Sequence, residues 1–240
     1  MTFTRCPFSS ANPKANPNPL QNQLLAGLPP LEIERWQDQL ELVDLPLGQV
    51  LCESGRAPGY VYFPTTAIVS LVYMTQDGAS TEIAVIGNDG VVGISVFMGG
   101  NSMPCEAVVH SAGQGYRLRA QAAKDEMARP GPILMMLLRY TQALMGQVAQ
   151  TAACNRYHSI DQLMCRRLLM GLERLPSAAM SMTQELLANL LGVRREGVTA
   201  AALKLQQAGV IRYSRGHIDV LDRQLLQQRT LNSAALALTA

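Results

Sequence analysis

The chain lacks the features of membrane, secreted and redox-active proteins. No apolar run in its 240 residues approaches the ~20 needed to cross a bilayer, and no basic segment followed by an apolar stretch marks a secretory signal. The five cysteines are scattered, and none forms a C-x-x-C pair. We therefore expect a reduced, cytoplasmic protein that does not associate with membranes and has no cysteine-rich metal or iron–sulfur site.

Catalytic motifs are missing as well. The sequence has no nucleophile elbow, P-loop or H-E-x-x-H motif, and the glycine-rich GNDGVVG precedes a predicted strand, which indicates a turn rather than a phosphate cradle. Cys154 and His158 have the i, i+4 spacing of two metal ligands, but two ligands do not complete a site. His110 and His158 are candidate haem ligands, but a lone histidine is more often a packed or surface residue. We predict that the protein is not an enzyme, and the sequence identifies neither a metal nor a cofactor.

Charge is sparse and unevenly distributed. Charged residues make up 16% of the chain and apolar residues 48%, which is typical of a folded protein. Residues 1–149 hold 9 Lys and Arg against 12 Asp and Glu, whereas residues 150–240 hold 11 against 6. A basic C-terminal third favours contact with a polyphosphate, although segments of this size also vary by a few charges without a functional cause.

The N-terminal half changes character twice. Residues 1–19, which include SSANPKANPNP, predict a flexible tail, and residues 20–28 and 31–40 predict short helices interrupted by Pro29 and Pro30. From residue 41 to 119, short runs rich in Val, Ile and Tyr alternate with glycine-containing turns. Such spacing predicts a β-sandwich or small barrel, since a mixed α/β domain would need helices of 10–15 residues between strands.

A long helix is predicted next, over residues 130–155. Pro130 and Pro132 suit a first helical turn, and an apolar stripe follows at spacings of three and four residues. The stripe consists of Leu137, Tyr140, Leu144, Val148 and Thr151. We predict that it forms the interface of a twofold homodimer, and packing against the chain's own β-domain is the alternative. A helix boundary at residues 155–158 predicts a hinge into a C-terminal domain.

The stretch TQELLANLLGVRREGVTAAALKLQQAGVI, residues 183–211, predicts two short helices joined at a glycine. Ser181 or Thr183 is a candidate cap for the first helix, and Gly192 suits the left-handed conformation that ends it. Val198, Ala201 and Leu205 of the second helix are predicted to face inward. This pattern is typical of a helix-turn-helix.

The outward residues of the second helix are suited to DNA. These residues are Arg194, Arg195, Glu196 and Thr199. Arginine matches the O6 and N7 edge of guanine, glutamate accepts from cytosine N4, and recognition helices read bases with their N-terminal residues. The following VIRYSRGHIDVLD predicts a hairpin wing, in which Arg212, Ser214, Arg215 and His217 are candidate phosphate contacts. A solvated, arginine-rich helix start is the alternative, but arginine there gains nothing from the helix dipole.

These motifs resemble a known family. MTQELLANLLGVRREGVTAAALKLQQAGVIRYSRGHIDVLD resembles the winged helix of the cyclic-AMP receptor protein/Fnr (Crp/Fnr) family of bacterial transcription regulators. VYFPTTAIVSLV and VIGNDGVVG resemble its sensor, and the similarity extends from about Leu24 to Leu226. The resemblance implies an α+β protein with an N-terminal β-roll (a cupin-like or jelly-roll sensor), a long dimerisation helix and a C-terminal winged helix-turn-helix. The implied domains are residues 20–129, 130–155 and 156–227, with a C-terminal tail at 228–240.

The family also implies partners and contacts. It implies a homodimer on a palindromic operator in double-stranded DNA, with RNA polymerase as a further partner. By position, Arg195 and Glu196 resemble its main base-reading pair and Thr183 a phosphate contact. Ala200 stands where many members have another base-reading arginine, and Gly197 replaces a commoner Ser or Thr. We therefore expect an operator different from the best-known consensus.

The sensor departs further from the family. Members that bind cyclic nucleotides have a Gly-Glu pair that holds the ribose and an Arg-Ser-Ala run that holds the phosphate. Here the matching effector pocket reads Gly93-Ile94 and Cys105-Glu106-Ala107. Isoleucine accepts no hydrogen bond, and Glu106 repels a phosphate. We predict that the sensor binds neither cyclic AMP nor cyclic GMP, while another small-molecule effector stays open, and a lone Cys6 cannot supply the cysteine cluster of iron–sulfur members.

The resulting prediction is a homodimeric, sequence-specific, DNA-binding transcription regulator. In it, a change in the β-roll against the long helix would alter the relative position of two recognition helices. The alternative is a ligand- or protein-binding sensor module whose winged helix contacts protein rather than DNA. Salt dependence and sequence preference of DNA binding distinguish the two.

Overall fold

The computed structural model describes residues 18–100, 102–175 and 179–231 of the protein. Most of the predicted N-terminal tail, including Cys6, lies outside these residues. The first described elements are a 3-10 turn at Pro19–Gln21 and two short helices, α1 at Gln23–Ala26 and α2 at Pro30–Gln37. Asn22 is fully buried: its side chain caps α1, and its amide donates to the carbonyls of Pro64 and Gly90 at 2.9 Å each. This residue therefore anchors the N-terminal helices to the domain that follows.

That domain is a roll of seven strands in two antiparallel sheets. The strands are β1 Glu41–Leu45, β2 Val50–Cys52, β3 Tyr60–Pro64, β4 Ile68–Met74, β5 Ser80–Ile86, β6 Glu106–Ser111 and β7 Gly113–Arg119. One sheet has the order β1-β7-β3 and the other β2-β6-β4-β5. Gly113 begins β7 where a Cβ atom would lie 2.5 Å from the backbone nitrogen of Ala67, so only glycine allows this approach. The predicted β-roll is confirmed.

Two helices follow the roll, α3 at Ala120–Met127 and α4 at Pro132–Tyr157. Helix α4 begins at a proline, as the sequence predicted. It packs along the roll through Ile133, Leu137, Leu144 and Val148, whereas Cys154 joins the core of the C-terminal domain. The hydroxyl of Tyr140 donates to the carbonyl of Val91 at 3.1 Å. Leu144 and Val148 are half-buried against the core between the two sheets. No helix among the described residues is long and apolar enough to cross a membrane.

The stripe assigned to the dimer interface faces the chain's own roll. Leu137 is only 1% exposed, and Leu144 and Val148 are half-buried against the core of the roll, which favours the alternative of packing against the β-domain. Thr151 is 8% exposed and lies 3.3 Å from Arg166 of the C-terminal domain. The assignment of the stripe to a dimer interface stays a prediction. Helix α4 is apolar on more than one side, since Met135, Leu138 and Met145 are each more than half exposed on another face.

The C-terminal domain is a small helical core with a three-stranded sheet. Its elements are α5 Ile160–Leu172, β8 Ala179–Ser181, α6 Gln184–Leu191, α7 Arg195–Gln207, β9 Ile211–Ser214, β10 His217–Val220 and α8 Arg223–Leu231. The strand order is β8-β10-β9. The predicted hinge corresponds to a break at His158, after which Ser159 and Gln162 form a capping box for α5. Helix α8 continues four residues past the predicted domain end at 227.

Ion pairs join this domain to the roll. Nε of Arg167, on α5, lies 2.7 Å from Oε1 of Glu82, on β5, and the two side chains are only 3% and 7% exposed. Arg174 contacts both carboxylate oxygens of Asp89, with Nη2–Oδ2 at 2.6 Å and Nε–Oδ1 at 3.0 Å. The two domains are therefore held in a defined arrangement by charged groups withdrawn from water.

Candidate nucleic-acid interface

The helix-turn-helix is built by local signals that the sequence carries. The hydroxyl of Thr183 accepts from the backbone nitrogen of Leu186 at 3.1 Å, so Thr183 rather than Ser181 caps α6. Gly192 ends α6 with φ of 64°, a conformation that favours glycine. Val198 and Leu205 of α7 are fully buried, as predicted. The packing of α6 against α7 therefore follows from the cap at Thr183, the turn at Gly192 and the buried apolar face of α7.

The predicted base-reading side chains lie together on the exposed N-terminal half of α7. Arg194 precedes the helix, and Arg195 and Glu196 occupy its first turn. These three residues and Thr199 are exposed. Oγ1 of Thr199 lies 3.0 Å from Oε1 of Gln184, so the start of α6 is tied to α7. Glu196 is favourably placed at a helix N-terminus, whereas the arginines there gain nothing from the dipole.

The wing is a tight hairpin. Strands β9 and β10 are joined by Arg215 and Gly216, whose φ values are 50° and 79°. Two consecutive positive φ angles are the geometry of a two-residue hairpin turn, which matches the natural twist of the strands. Arg212, Ser214, Arg215 and His217 are exposed on it. Arg215, at the tip, thus has a backbone conformation that is unfavourable for a residue other than glycine, and the strands of the hairpin keep it in that conformation.

Helix α7 and the wing enclose a groove of about 460 Å³. It brings together the predicted Thr183, Arg195, Thr199 and Arg215. Sequence analysis missed other residues of its wall, namely Gln184, Ala202, Leu203, Gln206, Tyr213 and Gly216. Oε1 of Gln206 accepts from the backbone nitrogen of Tyr213 at 2.6 Å, and the hydroxyl of Tyr213 donates to the carbonyl of Met182 at 2.8 Å. These bonds fix the groove, and the second of them joins residues 31 positions apart in the sequence.

The cations around the groove are unpaired. Within residues 18–100, 102–175 and 179–231, no carboxylate lies within ion-pairing distance of Arg194, Arg195, Arg212 or Arg215. By contrast, Arg35, Arg117, Arg167 and Arg174 each hold a carboxylate at 2.9 Å or less. Positive charge is thus left open on one surface, as contact with phosphates requires.

The predicted effector pocket is an apolar part of the roll. Gly93 has φ of 94° and opens a 3-10 turn at Ile94–Val96. Ile94 packs against the core rather than offering a polar group. Cys105 is 3% exposed and Ala107 fully buried, while Glu106 begins β6 half-buried. Tyr62, Met103 and Cys52 belong to the same buried cluster as Cys105, and burial raises the pKa of the Cys105 thiol to about 11.

The roll is also poor in cations. Residues 57–116 contain no lysine and no arginine, a signal that was visible in the sequence and that sequence analysis overlooked. His110 is 8% exposed, and burial, together with the charge of Arg167, lowers its pKa to about 4. Its ring is therefore neutral near pH 7. This part of the roll has no cation of its own to hold a phosphate.

A buried polar cluster lies where the two domains meet. Ser70 donates to Oε2 of Glu82, whose Oε1 faces Arg167. Burial raises the pKa of the Glu82 carboxyl, against the attraction of Arg167. Nη1 and Nη2 of Arg167 and Nδ1 of His110 are buried and have no hydrogen-bond partner among the residues that the structure describes. This arrangement is costly unless the domains stay together.

The potential metal ligands lie apart from one another. Among the described residues, no three His, Cys, Asp or Glu side chains are grouped so as to hold a metal ion. Cys154 is buried near the end of α4, and His158 caps that helix. The described cysteines, Cys52, Cys105, Cys154 and Cys165, are buried free thiols.

Two family models match the chain. Residues 42–129 match the cyclic nucleotide-binding domain, and residues 164–229 match the Crp-like helix-turn-helix domain. The first match covers the strands of the roll and the second the segment with α6, α7 and the wing. No curated protein sequence matches the chain.

Solved structures share the fold. FixK2 from Bradyrhizobium japonicum is 16% identical with a TM-score of 0.69, over 81% of this chain and 99% of that one. A CRP/FNR-family transcriptional regulator from Thermus thermophilus is 20% identical with a TM-score of 0.64, over 79% and 98%. CLP from Xanthomonas campestris, a c-di-GMP responsive global regulator, is 15% identical with a TM-score of 0.63, over 79% and 98%.

The order of the two matched domains and the fold agree with the resemblance that the sequence motifs carry. The family prediction is thereby confirmed, and with it the function of a DNA-binding helix-turn-helix domain. The chain belongs to the Crp/Fnr-type transcriptional regulators, with a Crp-like helix-turn-helix domain behind a cyclic nucleotide-binding-type roll.

Proposed function

We propose that the protein is a homodimeric regulator that reads a palindromic operator with α7, and that its sensor responds to a signal other than cyclic AMP or cyclic GMP. The observation that carries the DNA-reading role is the set of four exposed arginines at the start of α7 and on the wing, of which Arg195 and Arg215 line the groove. None of the four has a carboxylate partner in the described part of the chain. By likeness to the family, the proposal includes RNA polymerase as a partner and action in the cytoplasm.

The base-reading residues are Arg195 and Glu196. The guanidinium of Arg195 lines the groove and matches a guanine edge, while Glu196 matches the N4 amine of cytosine. Arg212, Ser214, Arg215 and His217 on the wing, with Arg194 and the cap residue Thr183, suit phosphates.

The test is selection of sequences from random DNA with the purified full-length protein, followed by salt titration on the selected site. We expect affinity to fall steeply with salt and Arg195→Ala to cost about 1–3 kcal/mol per half-site. Arg56→Ala, which removes an exposed arginine of the roll, is the control. Binding without sequence preference or salt dependence would favour the alternative of a protein-binding module.

The dimer proposal rests on a different face of α4 from the one first predicted. Met135, Leu138 and Met145 are 51%, 53% and 66% exposed, and with Gln142, Ala149 and Ala152 they follow alternating spacings of three and four residues. That spacing is the heptad seam of two packed helices. The second copy is the occupant that the seam suits, because a twofold pair buries the same face on both chains.

The oligomeric state tests this seam. Met145→Glu places a charge in its centre, and we expect sedimentation to report a monomer in place of a dimer. Leu31→Glu changes a side chain that is 76% exposed on α2 and is the matched control. A Met145→Glu protein that remains a dimer would assign the interface to another surface.

The absence of a cyclic-nucleotide response is supported by chemistry at the pocket. Ile94 cannot accept from a ribose hydroxyl, Cys105 is a buried neutral thiol, and residues 57–116 supply no cation for the phosphate. A nucleotide present at 100 times its Kd would stabilise the folded protein by about 2.7 kcal/mol. We expect no change in thermal unfolding with cyclic AMP or cyclic GMP, and a clear rise with either would overturn this part of the proposal.

A further inference from the structure

The outward side of α7 carries two apolar residues among polar ones. Val198, Ala201, Ala202 and Leu205 face the core, so the opposite side of the helix presents Glu196, Ala200, Leu203 and Gln207. Ala200 is exposed, and Leu203 is 53% exposed. The two lie three residues apart and are therefore neighbours on the helix surface.

Leu203 occupies a defined place in the groove between α7 and the wing. It follows Arg195 and Thr199 at successive spacings of four residues, and all three line the groove. Two polar atoms beside it are already engaged, since Oε1 of Gln206 accepts from the backbone of Tyr213 and Oγ1 of Thr199 lies against Gln184. The side chain of Leu203 itself is apolar and offers no hydrogen bond.

Exposure by itself does not carry the inference, because single exposed leucines are common on protein surfaces. Leu221 is also 53% exposed in the same domain, yet it lies just after β10 and is not part of this groove. Leu203 differs in its position, because it lines the same groove as Arg195, the arginine that is proposed to read a base. Position, rather than exposure, distinguishes it.

The major groove of DNA presents one apolar group, the C5 methyl of thymine. Resting on the proposed function, we infer that Ala200 and Leu203 form an apolar reader of thymine methyl groups, beside the polar readers Arg195 and Glu196. Leucine contacts such a methyl through its own methyl groups and excludes water from it. The operator then has a T·A pair where α7 presents this pair of side chains.

The experiment replaces thymine by deoxyuridine, one position at a time, in one half-site of the selected operator. This change removes only the methyl group. We expect one or two positions at which wild-type affinity falls about fourfold per methyl, from about 0.8 kcal/mol per buried carbon. At those positions Leu203→Ala should bind both DNAs equally well. Leu221→Ala should keep the wild-type response.

A second arm tests the chemistry by restoring the methyl on another base. At the same position, 5-methylcytosine should bind better than cytosine for wild type and no better for Leu203→Ala. If every deoxyuridine position is neutral, or if Leu203→Ala keeps the full methyl response, the inference is overturned. Failure of the proposed function is a separate outcome, because it would show as loss of sequence-specific binding by the wild-type protein.

Discussion

The roll and the winged helix differ most in how they hold charge. Residues 57–116 of the roll contain four carboxylates, at Asp77, Glu82, Asp89 and Glu106, and no lysine or arginine. Around its groove, the winged helix exposes Arg194, Arg195, Arg212 and Arg215, which have no carboxylate partner among the described residues. Two of the four carboxylates, Glu82 and Asp89, are paired with arginines of the C-terminal domain. These carboxylates of the roll therefore hold the two domains together, whereas the arginines around the groove stay open to a partner.

This comparison bears on regulation. A signal received by the roll must reach the recognition helices through surfaces that both domains share, and the Glu82–Arg167 pair is the most deeply buried charged contact between them among the described residues.

The largest effect is expected from breaking the buried pair. Glu82→Gln leaves the guanidinium of Arg167 without its counter-charge inside the protein, and we expect a loss of about 3–5 kcal/mol in the free energy of unfolding, measured by urea denaturation. The control is Glu53→Gln, which breaks an exposed pair with Arg56 and should cost less than about 1 kcal/mol.

A second variant separates charge from packing. Replacing both residues, as Glu82→Leu with Arg167→Met, removes both charges and should recover much of the loss. If Glu82→Gln lowers the free energy of unfolding no more than Glu53→Gln does, the Glu82–Arg167 pair does not hold the domains together.

The next effect is a pH dependence at His110. Its pKa is lowered to about 4 in the folded protein, so the unfolded chain takes up a proton first as the pH falls below about 6.5. Stability contributed by the neutral ring is therefore complete above about pH 6.5 and is lost between there and about pH 4. We expect wild type to lose about 2–3 kcal/mol relative to His110→Gln over this window.

The stability of wild type must be compared with that of His110→Gln, because the titration of Glu82 changes stability with pH in the opposite direction. Burial raises its pKa, so protonation favours the folded state as the pH falls. His217→Gln, which removes an exposed histidine of the wing, is the matched control. A constant difference between wild type and His110→Gln from pH 7 to pH 4 would contradict the prediction.

The smallest effect is expected at the wing. Arg215→Asn removes one phosphate contact, and asparagine tolerates the φ of 50° at this position. We expect binding to weaken about equally on all DNA sequences and the slope of log affinity against log salt to fall by about 1 per half-site. Arg129→Asn, an exposed arginine after α3, should leave the slope unchanged. A loss confined to the selected operator would make Arg215 a base reader instead.

Sequence reasoning succeeded where structure is local. The cap at Thr183, the turn at Gly192 and the inward Val198 depend on neighbours within one or two helical turns, and the strand and glycine pattern of the roll has the same local origin. It left two alternatives for the stripe of α4, because Leu134 to Leu138 form an unbroken apolar run and a period of three or four fits several faces of such a helix. The spacing of apolar residues therefore does not determine which face of α4 packs against the roll.

Residue type and contacts between near neighbours were enough to specify the order of domains, the helix-turn-helix with its arginine pair, and the missing cations of the roll. Other features arise only when distant segments meet: Glu82 pairs with Arg167, the hydroxyl of Tyr213 donates to the carbonyl of Met182 beside the groove, and Leu137 faces inward. Each of these depends on which surfaces come together as the chain excludes water, and a pattern along one segment does not specify its partner.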